Sequence, residues 1–378
     1  MKNIYILGAA GSIGMQTLDI IKAQSDQFKL IGVSLSRDDH KNDLILSTFP
    51  VEIACLRNDQ KILFYEKKYP KTSFVFGDKG LLDIAKYPKP GILVNALSGS
   101  VGLYPTIEAI KQKKDIALAN KETLVMAGDI VNQYIKDYQV KLLPIDSEHS
   151  AIWQTLDEFH IDDIKKIVIT ASGGAFRDKT RDDLIEVTVE DALRHPNWSM
   201  GPKVTIDSAT MMNKGLEIIE AHHLFHLPYD KIETVLHKES LVHGLTYYKD
   251  GTIKASLGQN DMHIPIGYAL NYPNRMTFQS EFTLKDMHFS PMDFQRFPLL
   301  QLAYEVGKAG GLLPVVMNAA NEAAVKLFLE NKITFLSIEE IVIRTVKQFS
   351  NKTNPTLEDI LKTDKEVQQT ILDFYEKR

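Results

Sequence analysis

Short apolar runs alternate with amphipathic segments along the first 150 residues of the chain. The apolar runs are KNIYILGA, KLIGVSL, EIACL, SFVFG, ILVNAL, DIALA and KLLPI. Between most of them lie segments with helical periodicity, such as SIGMQTLDIIKAQ and TIEAIKQKK. This alternation predicts a parallel sheet with helices on both faces. We therefore expect residues 1–150 to form a doubly wound, Rossmann-like α/β domain, an architecture that commonly binds nucleotides.

The pattern of apolar positions changes after residue 150. The segment KKIVITAS predicts a strand, and RHPNWSMGPK predicts a loop. Two further segments, IETVLHKES and LVHGLTYYKDGTIKASLG, predict antiparallel strands with a hairpin turn at Lys249-Asp250-Gly251. The stretch SATMMNKGLEIIEAHHLF predicts a helix with Asp207 or Ser208 as its N-cap. Residues 151–294 are therefore predicted to form an α+β domain.

The strand pattern fades near residue 295. Four amphipathic helices are predicted from there to the end, in PLLQLAYEVGKAG, VMNAANEAAVKLFLENK, SIEEIVIRTVKQF and LEDILKTDKEVQQTILDFYEK. We expect residues 295–378 to form a small C-terminal α-helical domain.

Composition and charge narrow the class of protein. The chain has 378 residues, the length of two or three ordinary domains. Its formal net charge of −5 does not favour a nucleic-acid partner, which usually requires a concentrated basic surface. The first apolar run is too short to span a membrane, so no membrane association is expected. The single cysteine, Cys55, excludes an intrachain disulfide and fits a reducing compartment, so we expect a cytoplasmic protein.

A glycine-rich loop, GAAGSIG, follows the first apolar run. Gly8, Gly11 and Gly14 have the spacing G-x-x-G-x-x-G, a variant of the dinucleotide-binding fingerprint. Glycines permit a tight turn and the close approach of a pyrophosphate, and the following helix presents free N–H groups. The loop therefore predicts a nucleotide site, with a tight turn that binds nothing as the alternative.

The end of the second apolar run distinguishes between the nicotinamide cofactors. NAD enzymes usually have Asp or Glu there to bind the ribose diol, whereas the 2′-phosphate of NADP prefers a cation. The segment Ser36-Arg37-Asp38 has a hydroxyl and an arginine that favour NADP, and an aspartate that favours NAD. We predict NADP.

Two later stretches have carboxylates in positions suited to chemistry. Asp146 and Glu148 are two residues apart after an apolar run, so on a strand they would face the same side. Capping of the next helix is the alternative role for them. Glu217 shares a predicted helix face with Asn213 and Lys214, and an ordinary surface ion pair is the alternative there. Nearby Gly215 costs helix stability, which suggests close approach by a ligand or another backbone.

Together, three carboxylates suggest a metal site. Asp146, Glu148 and Glu217 could form an all-oxygen site for Mg²⁺ or Mn²⁺ with open positions for substrate. A zinc site at His222, His223 and His226 is the weaker alternative, because the helix lacks the glutamate of H-E-x-x-H.

These residues fall within motifs of one family. The segments ILGAAGSIG, LANKETLV, PIDSEHSAI, ASGGAF, RHPNWSMGPKVTIDSATMMNKGLEIIEAHHLF and GQNDMHIPI occur in that family's order and spacing. The chain resembles the 1-deoxy-D-xylulose 5-phosphate reductoisomerase family from residue 1 to the C-terminal helices. The resemblance implies an NADPH-dependent enzyme of the non-mevalonate isoprenoid pathway that uses Mn²⁺ or Mg²⁺, with Co²⁺ as a further candidate. It also implies a phosphorylated sugar substrate and a homodimer.

The resemblance also implies roles for individual residues. The family's metal ligands match Asp146, Glu148 and Glu217. Its substrate contacts match Lys121, Ser147, Glu148, Ser172, His195, Ser208, Asn213, Lys214 and Glu217, of which Lys121, Glu148 and His195 are the catalytic candidates. Its NADPH contacts match Gly8, Ala10, Gly11, Ser12, Ile13, Ser36, Arg37, Asp38, Asn120, Glu122 and Gly201. Trp198 matches a flexible lid, which we call the lid loop (residues 194–203).

The sequence departs from the family's motifs at two places. The family often has Thr or Ser where this chain has Ala9-Ala10, which removes a side-chain contact to NADPH. Asp38 replaces a more neutral residue near the 2′-phosphate.

Two rival functions were also considered for the sequence. Homoserine and aspartate-semialdehyde dehydrogenases share the first domain, but those functions do not predict the three carboxylates. A catalytically silent nucleotide-binding regulator would have a broken site, whereas every polar residue named above is present.

Overall fold

A computed structural model describes residues 1–156, 161–277 and 282–376. The chain divides into two compact units, which we call unit 1 and unit 2. Unit 1 contains Met1–Thr123, Ile130–Asp146 and a segment that begins at Asp261. Unit 2 contains Leu124–Asp129, Ser147–Asn260 and the described C-terminal part of the chain from residue 282.

Unit 1 is built on a seven-stranded parallel sheet in the order β4-β3-β2-β1-β5-β6-β7. Its strands are β1 (Lys2–Leu7), β2 (Phe28–Ser34), β3 (Ile53–Leu56), β4 (Ser73–Phe76), β5 (Ile92–Asn95), β6 (Asp115–Leu118) and β7 (Leu142–Pro144). All seven coincide with the apolar runs that predicted them, with β2 beginning one residue earlier, so the doubly wound prediction is confirmed. The central strands are buried nearly throughout, as expected of a parallel sheet covered on both faces.

Helices connect these strands. They are α1 (Ser12–Ala23), α2 (Asp39–Thr48), α3 (Ile62–Lys68), α4 (Gly77–Ala85), α5 (Leu103–Lys111) and α6 (Glu122–Tyr138). The backbone of α6 is non-helical at Ala127, and its residues are divided between the two units. A later helix, α11 (His263–Asn271), packs on α1 within unit 1. The sequence pattern did not predict that this segment joins the first sheet's unit.

Unit 2 contains a five-stranded mixed sheet in the order β11-β10-β8-β9-β12. Its strands are β8 (Ile164–Ala171), β9 (Ile232–Leu236), β10 (Val242–Tyr248), β11 (Ile253–Leu257) and β12 (Ser290–Pro291). The hairpin β10–β11 is antiparallel, as predicted. However, β9 runs parallel to β8, because the chain between them crosses over through helices and returns in the same direction.

Helices α7 (Ser147–Thr155), α8 (Val189–Leu193), α9 (Pro202–Ala209) and α10 (Met212–Phe225) also belong to unit 2. The predicted N-cap at Asp207 or Ser208 is wrong, because both residues lie inside α9. Pro202 begins that helix at a position where its missing N–H costs nothing, so the loop predicted for residues 194–203 ends at Gly201. Met211 then adopts a left-handed backbone (φ 62°) and becomes the N-cap of α10.

The C-terminal helices are α12 (Pro298–Ala309), α13 (Leu313–Leu329), α14 (Phe335–Gln348) and α15 (Leu357–Glu376). All four match predicted helices. They share one apolar core with β8 and α10, in which Ile167, Leu216, Leu300 and Phe328 are buried. A separate C-terminal domain beginning at residue 295, and the boundary at residue 150, stay predictions. No helix among the described residues is long and apolar enough to cross a membrane.

Candidate active site

In unit 1, the glycine-rich loop connects β1 to α1 in a narrow turn. Gly8 has a positive φ of 87°, and its N–H donates to Ser34 Oγ at 2.7 Å. A Cβ on Gly14 would lie 2.2 Å from the carbonyl oxygen of Gly8, so only glycine fits there. Gly11 is the N-cap of α1 and provides no side-chain cap, which leaves the first N–H groups of the helix available to an anion.

The segment after β2 lies next to this loop, because β1 and β2 are neighbours in the sheet. Arg37 is exposed. Ser36 Oγ accepts a hydrogen bond from the N–H of Asp38 at 3.0 Å. Asp38 is the N-cap of α2 and accepts from the N–H of Lys41 at 3.1 Å. The carboxylate of Asp38 therefore has a structural role in starting α2. Its presence is thus weaker evidence against binding of the 2′-phosphate of NADP at this segment.

Asn120 and Glu122 follow β6 at the same edge of the sheet. The Asn120 side-chain amide donates to the carbonyls of Leu97 and Gly99 at 3.0 and 2.9 Å, and to Glu122 Oε2 at 3.0 Å. Both side chains are buried. Their side chains thus fix the loops after β5 and β6, at the edge where ligands bind in doubly wound sheets.

Lys121 and Asp146 form an ion pair at this edge. The distance from Lys121 Nζ to Asp146 Oδ2 is 2.8 Å, and each side chain is 10% exposed. The pair joins the ends of β6 and β7, which are neighbours in the sheet. Asp146 is the residue at which unit 1 ends, and Ser147 begins α7 of unit 2.

In unit 2, Lys214 connects two glutamates from α7 and α10. Its Nζ lies 2.9 Å from Glu148 Oε1 and also binds Glu217 Oε2. Asn213 Nδ2 donates to the other oxygen of Glu217, and Ser147 Oγ donates to Glu148. Glu148 and Glu217 place carboxylate oxygens within 4.8 Å of each other. Two carboxylates at this distance repel each other, and the Lys214 ammonium offsets their negative charge.

A buried histidine supports the backbone of α10 beneath this cluster. His149 Nε2 lies 2.9 Å from the carbonyl oxygen of Glu217, and its Nδ1 lies 3.3 Å from Glu220 Oε2. The side chains of His149 and Glu220 are fully buried. Sequence reasoning did not select either residue, although His149 follows Glu148 directly.

A second group of predicted residues surrounds His195. Its Nε2 lies 3.1 Å from Ser172 Oγ and 3.2 Å from Ser208 Oγ. Gly174 allows the loop after β8 to approach α9 closely, because a Cβ on Gly174 would lie 2.4 Å from the Ser208 carbonyl oxygen. Thus the predicted residues Ser172, His195 and Ser208 are brought together from the end of β8, the lid loop and α9.

The imidazole of His195 is held neutral. Burial, reinforced by the nearby charge of Arg177, lowers its pKa to about 4. Its Nδ1 accepts from the N–H groups of Asn197 and Trp198 at 3.1 and 3.0 Å, so the ring proton lies on Nε2. That N–H and the two serine hydroxyls are donors of the kind that bind phosphate oxygens.

The lid loop contacts the sheet of unit 2 through Trp198. The Trp198 ring is 6.0 Å from the ring of His243, a buried residue of β10. Burial lowers the pKa of His243 to about 4. Gly201, predicted to contact NADPH, is the N-cap of α9 in unit 2 and has open space around it.

Gly215 and the three histidines of α10 have structural surroundings. A Cβ on Gly215 would lie 2.7 Å from Ala303 Cβ, so this glycine permits α10 to pack closely on α12. Close packing of two helices, and not the approach of a ligand, therefore accounts for the glycine. His222 stacks on Tyr229, and His223 lies 3.6 Å from Asp129. Among the described residues, His222, His223 and His226 do not form a cluster of metal-ligating atoms.

Three family models together match most of the chain. The model for 1-deoxy-D-xylulose 5-phosphate reductoisomerase matches residues 4–128. The model for the C-terminal domain of 1-deoxy-D-xylulose 5-phosphate reductoisomerase matches residues 142–225, and that for the DXP reductoisomerase C-terminal domain matches residues 257–370.

Individual relatives are similar over their full length. The 1-deoxy-D-xylulose 5-phosphate reductoisomerase of Lysinibacillus sphaericus (strain C3-41) is 50% identical, with 99% of this chain and 100% of that protein covered. A structure of DOX-P reductoisomerase with NADPH, fosmidomycin and magnesium matches with a TM-score of 0.94 and 36% identity, covering 100% of this chain and 98% of that one. The Zymomonas mobilis enzyme in complex with NADPH matches with a TM-score of 0.91 and 38% identity, covering 100% of both chains.

Proposed function

Since this chain belongs to the 1-deoxy-D-xylulose 5-phosphate reductoisomerase family, we propose that Asp146, Glu148 and Glu217 bind its divalent cation. The protein is an NADPH-dependent enzyme that converts 1-deoxy-D-xylulose 5-phosphate to 2-C-methyl-D-erythritol 4-phosphate in the non-mevalonate isoprenoid pathway. The observation that carries the site assignment is Lys214, whose ammonium group binds both Glu148 and Glu217.

The residues present fit both cofactors. Carboxylate oxygens are the ligands that Mg²⁺ and Mn²⁺ prefer, and a thiolate is absent from the proposed set. The turn at Gly8 and Gly14 leaves backbone N–H groups at the start of α1 for a pyrophosphate. When bound, the cation acts as a Lewis acid on substrate oxygens, and NADPH supplies a hydride.

The phosphate of the substrate is proposed to bind the group around His195. Ser172, Ser208 and His195 offer three donors, because both serine hydroxyls lie within hydrogen-bond distance of His195 Nε2. Asn213 and Lys214 supply an amide and an ammonium group from the start of α10. Because the His195 imidazole is neutral, it binds the phosphate as a hydrogen-bond donor rather than as a cation.

Lys121 and Glu148 are proposed to act on the reacting oxygens. The rearrangement breaks and re-forms a carbon–carbon bond, and it develops negative charge on oxygen. The Lys121 ammonium is nine-tenths buried beside Asp146, where charge interactions are stronger than in water. It can stabilise that charge or move a proton, and Glu148 is the second candidate for proton transfer. Trp198 and the lid loop are proposed to exclude water from the substrate.

An absorbance assay tests the activity and the metal site together. Consumption of NADPH should require both 1-deoxy-D-xylulose 5-phosphate and Mg²⁺ or Mn²⁺. Glu217→Gln should reduce metal-dependent turnover by about 100-fold or more while NADPH still binds, because a neutral amide is a poor ligand for these cations. Glu339→Gln is the matched control, since Glu339 is another buried carboxylate, paired with Arg181 at 2.7 Å. Equal turnover in Glu217→Gln and wild type would disprove the metal assignment.

We also propose that two copies associate through the segment 282–294 of unit 2. This segment exposes Leu284 (70%) and Phe289 (44%) and contains β12, an edge strand of the sheet. Exposed apolar side chains beside a sheet edge fit an interface between copies. Leu284→Asp should shift the protein from dimer to monomer in sedimentation experiments. Leu63→Asp, at an exposed position of α3, should leave the dimer intact.

A cytoplasmic location is proposed as well. Cys55 is a buried free thiol, which fits a reducing compartment. Separation of cell fractions, followed by detection of this protein, tests the proposal.

A further inference from the structure

The lid loop is anchored at a second place besides His195. Asn197 is half-buried, and its side chain bonds to neither of the two serines that contact His195. Its Oδ1 accepts a hydrogen bond from Arg177 Nη1 at 3.0 Å. Its Nδ2 donates to the carbonyl oxygen of Lys238 at 2.9 Å. One side chain of the lid loop therefore connects to two other segments of unit 2.

Arg177 closes this arrangement. The same Nη1 that donates to Asn197 also donates to the Lys238 carbonyl oxygen at 3.0 Å. The guanidinium, the amide and the carbonyl thus form a closed triangle of three hydrogen bonds, which we call the lid latch (Arg177, Asn197 and the Lys238 carbonyl). A planar guanidinium holds its partners in a fixed geometry better than a flexible ammonium does.

The position of Arg177 is set by the loop that also contains Ser172. Gly173 has a positive φ of 86°, and a Cβ on it would lie 2.6 Å from Arg177 Cβ. Arg177 Nε also lies 3.5 Å from Asp178 Oδ2. The lid latch therefore connects the lid loop to the same loop that supplies Ser172 to the His195 group.

We propose that Arg177 is a positioning residue for the reaction, acting through Asn197 to hold Trp198 and His195 over the substrate. The inference rests on the proposed substrate roles of Ser172, His195 and Trp198. Asn197 is close to these residues in the chain: Trp198 follows it directly, and both backbone N–H groups donate to His195 Nδ1. Without the lid latch, the loop would spend less time in the arrangement that binds the substrate.

Steady-state kinetics of four variants test the proposal. Arg177→Met and Asn197→Ala should each raise KM for 1-deoxy-D-xylulose 5-phosphate about 10- to 100-fold, the range expected for a hydrogen bond to a charged group. The value of kcat should change far less, and the affinity for NADPH should not change. The KM of the double variant should be no higher than that of the more impaired single variant, because both changes break one arrangement. Arg177→Lys should recover part of the loss.

Lys238→Met is the matched control. It removes the surface ion pair between Lys238 and Asp178 but leaves the Lys238 carbonyl in the lid latch. Its KM should equal that of wild type. Additive effects of Arg177→Met and Asn197→Ala would overturn the proposal and indicate that Arg177 acts directly on the substrate phosphate.

Tryptophan fluorescence measures how exposed the lid loop is, and it does not depend on turnover. The chain has two tryptophans, so Trp153→Phe leaves Trp198 as the only one. In that background, Arg177→Met should make Trp198 more accessible to acrylamide quenching, and Lys238→Met should not. Unchanged quenching together with unchanged KM would disprove the proposal. If wild type shows no turnover, the proposed function fails, but the quenching result still decides whether Arg177 positions the lid loop.

Discussion

Lys214 Nζ lies 2.9 Å from Glu148 Oε1, although the two residues are 66 positions apart in the chain. The same ammonium group binds Glu217, whose side chain is 1% exposed. A lysine between two proposed metal ligands acts as an internal counter-ion for their negative charge. A divalent cation bound to these carboxylates, as proposed, would compete with Lys214 for them, and the Lys214 ammonium would then be available to an anion such as the substrate phosphate.

Lys214→Met should make the stability of unit 2 depend strongly on divalent metal. Removing one partner of a buried ion pair typically costs about 3–5 kcal/mol, because the remaining carboxylates lose their counter-ion. Mg²⁺ should replace the missing charge, so it should raise the melting temperature of Lys214→Met more than that of wild type. Lys203→Met breaks the pair between Lys203 and the buried Asp207, and Mg²⁺ should not rescue it. Equal Mg²⁺ effects on all three proteins would contradict the shared counter-ion role.

Gly14→Ala should weaken NADPH binding by about 10-fold or more, whereas Gly11→Ala should have a much smaller effect. A Cβ on Gly14 would overlap backbone atoms of the loop, at 2.2 Å from the Gly8 carbonyl oxygen. A Cβ on Gly11 would meet the same oxygen at 3.3 Å, which a small shift can relieve. Backbone overlap forces the turn apart and moves the N–H groups proposed to bind the pyrophosphate. Titration of NADPH fluorescence measures both affinities, and similar values for the two variants would refute this mechanism.

Gly215→Ala should destabilise unit 2 without altering metal affinity. Its Cβ would lie 2.7 Å from Ala303 Cβ, and overpacking of this kind costs about 1–3 kcal/mol. Better helix propensity offsets about 1 kcal/mol of that cost. Adding Ala303→Gly should remove the overlap, so the double-mutant cycle in urea should show a favourable coupling of about 1 kcal/mol. Absence of coupling, with loss of metal binding, would instead indicate that Gly215 faces the metal site.

Stability of unit 1 should rise between about pH 8 and pH 10.5 because of Lys114. This side chain is fully buried, and burial lowers its pKa from 10.5 to about 8. In that interval the unfolded chain binds the proton and the folded chain does not, so the free energy of unfolding increases with pH. A neutral amine still has two N–H groups for the Ala85 and Tyr87 carbonyls, at 2.9 and 2.6 Å.

Urea unfolding of wild type and Lys114→Met at several pH values tests this prediction. Lys114→Met should be less stable by about 1–3 kcal/mol, because two buried carbonyls lose their donor. Its free energy of unfolding should also not show the increase between about pH 8 and pH 10.5 that we attribute to Lys114. The same rise in both proteins would show that another group titrates.

Much of the fold was evident from local patterns. Each strand of the first sheet lies in its own apolar run, and the last four helices have their own amphipathic periodicity, so these elements were predicted without knowledge of their neighbours. The boundary between α9 and α10 was not predicted, because it depends on the left-handed backbone of Met211. Such a conformation has no clear signature in a methionine.

The sequence by itself determined the element types and the glycine turn, because these depend on residue types at short spacing. Most of the candidate site residues were identified through the resemblance of the motifs to one family. Only the tertiary structure decided that α11 packs with unit 1, that Gly215 serves helix packing, and that Arg177 and Asn197 meet Lys238. Those contacts join segments up to 61 positions apart in the lid latch and more elsewhere. Their formation depends on how whole elements pack, and no local pattern of polar and apolar residues specifies that packing.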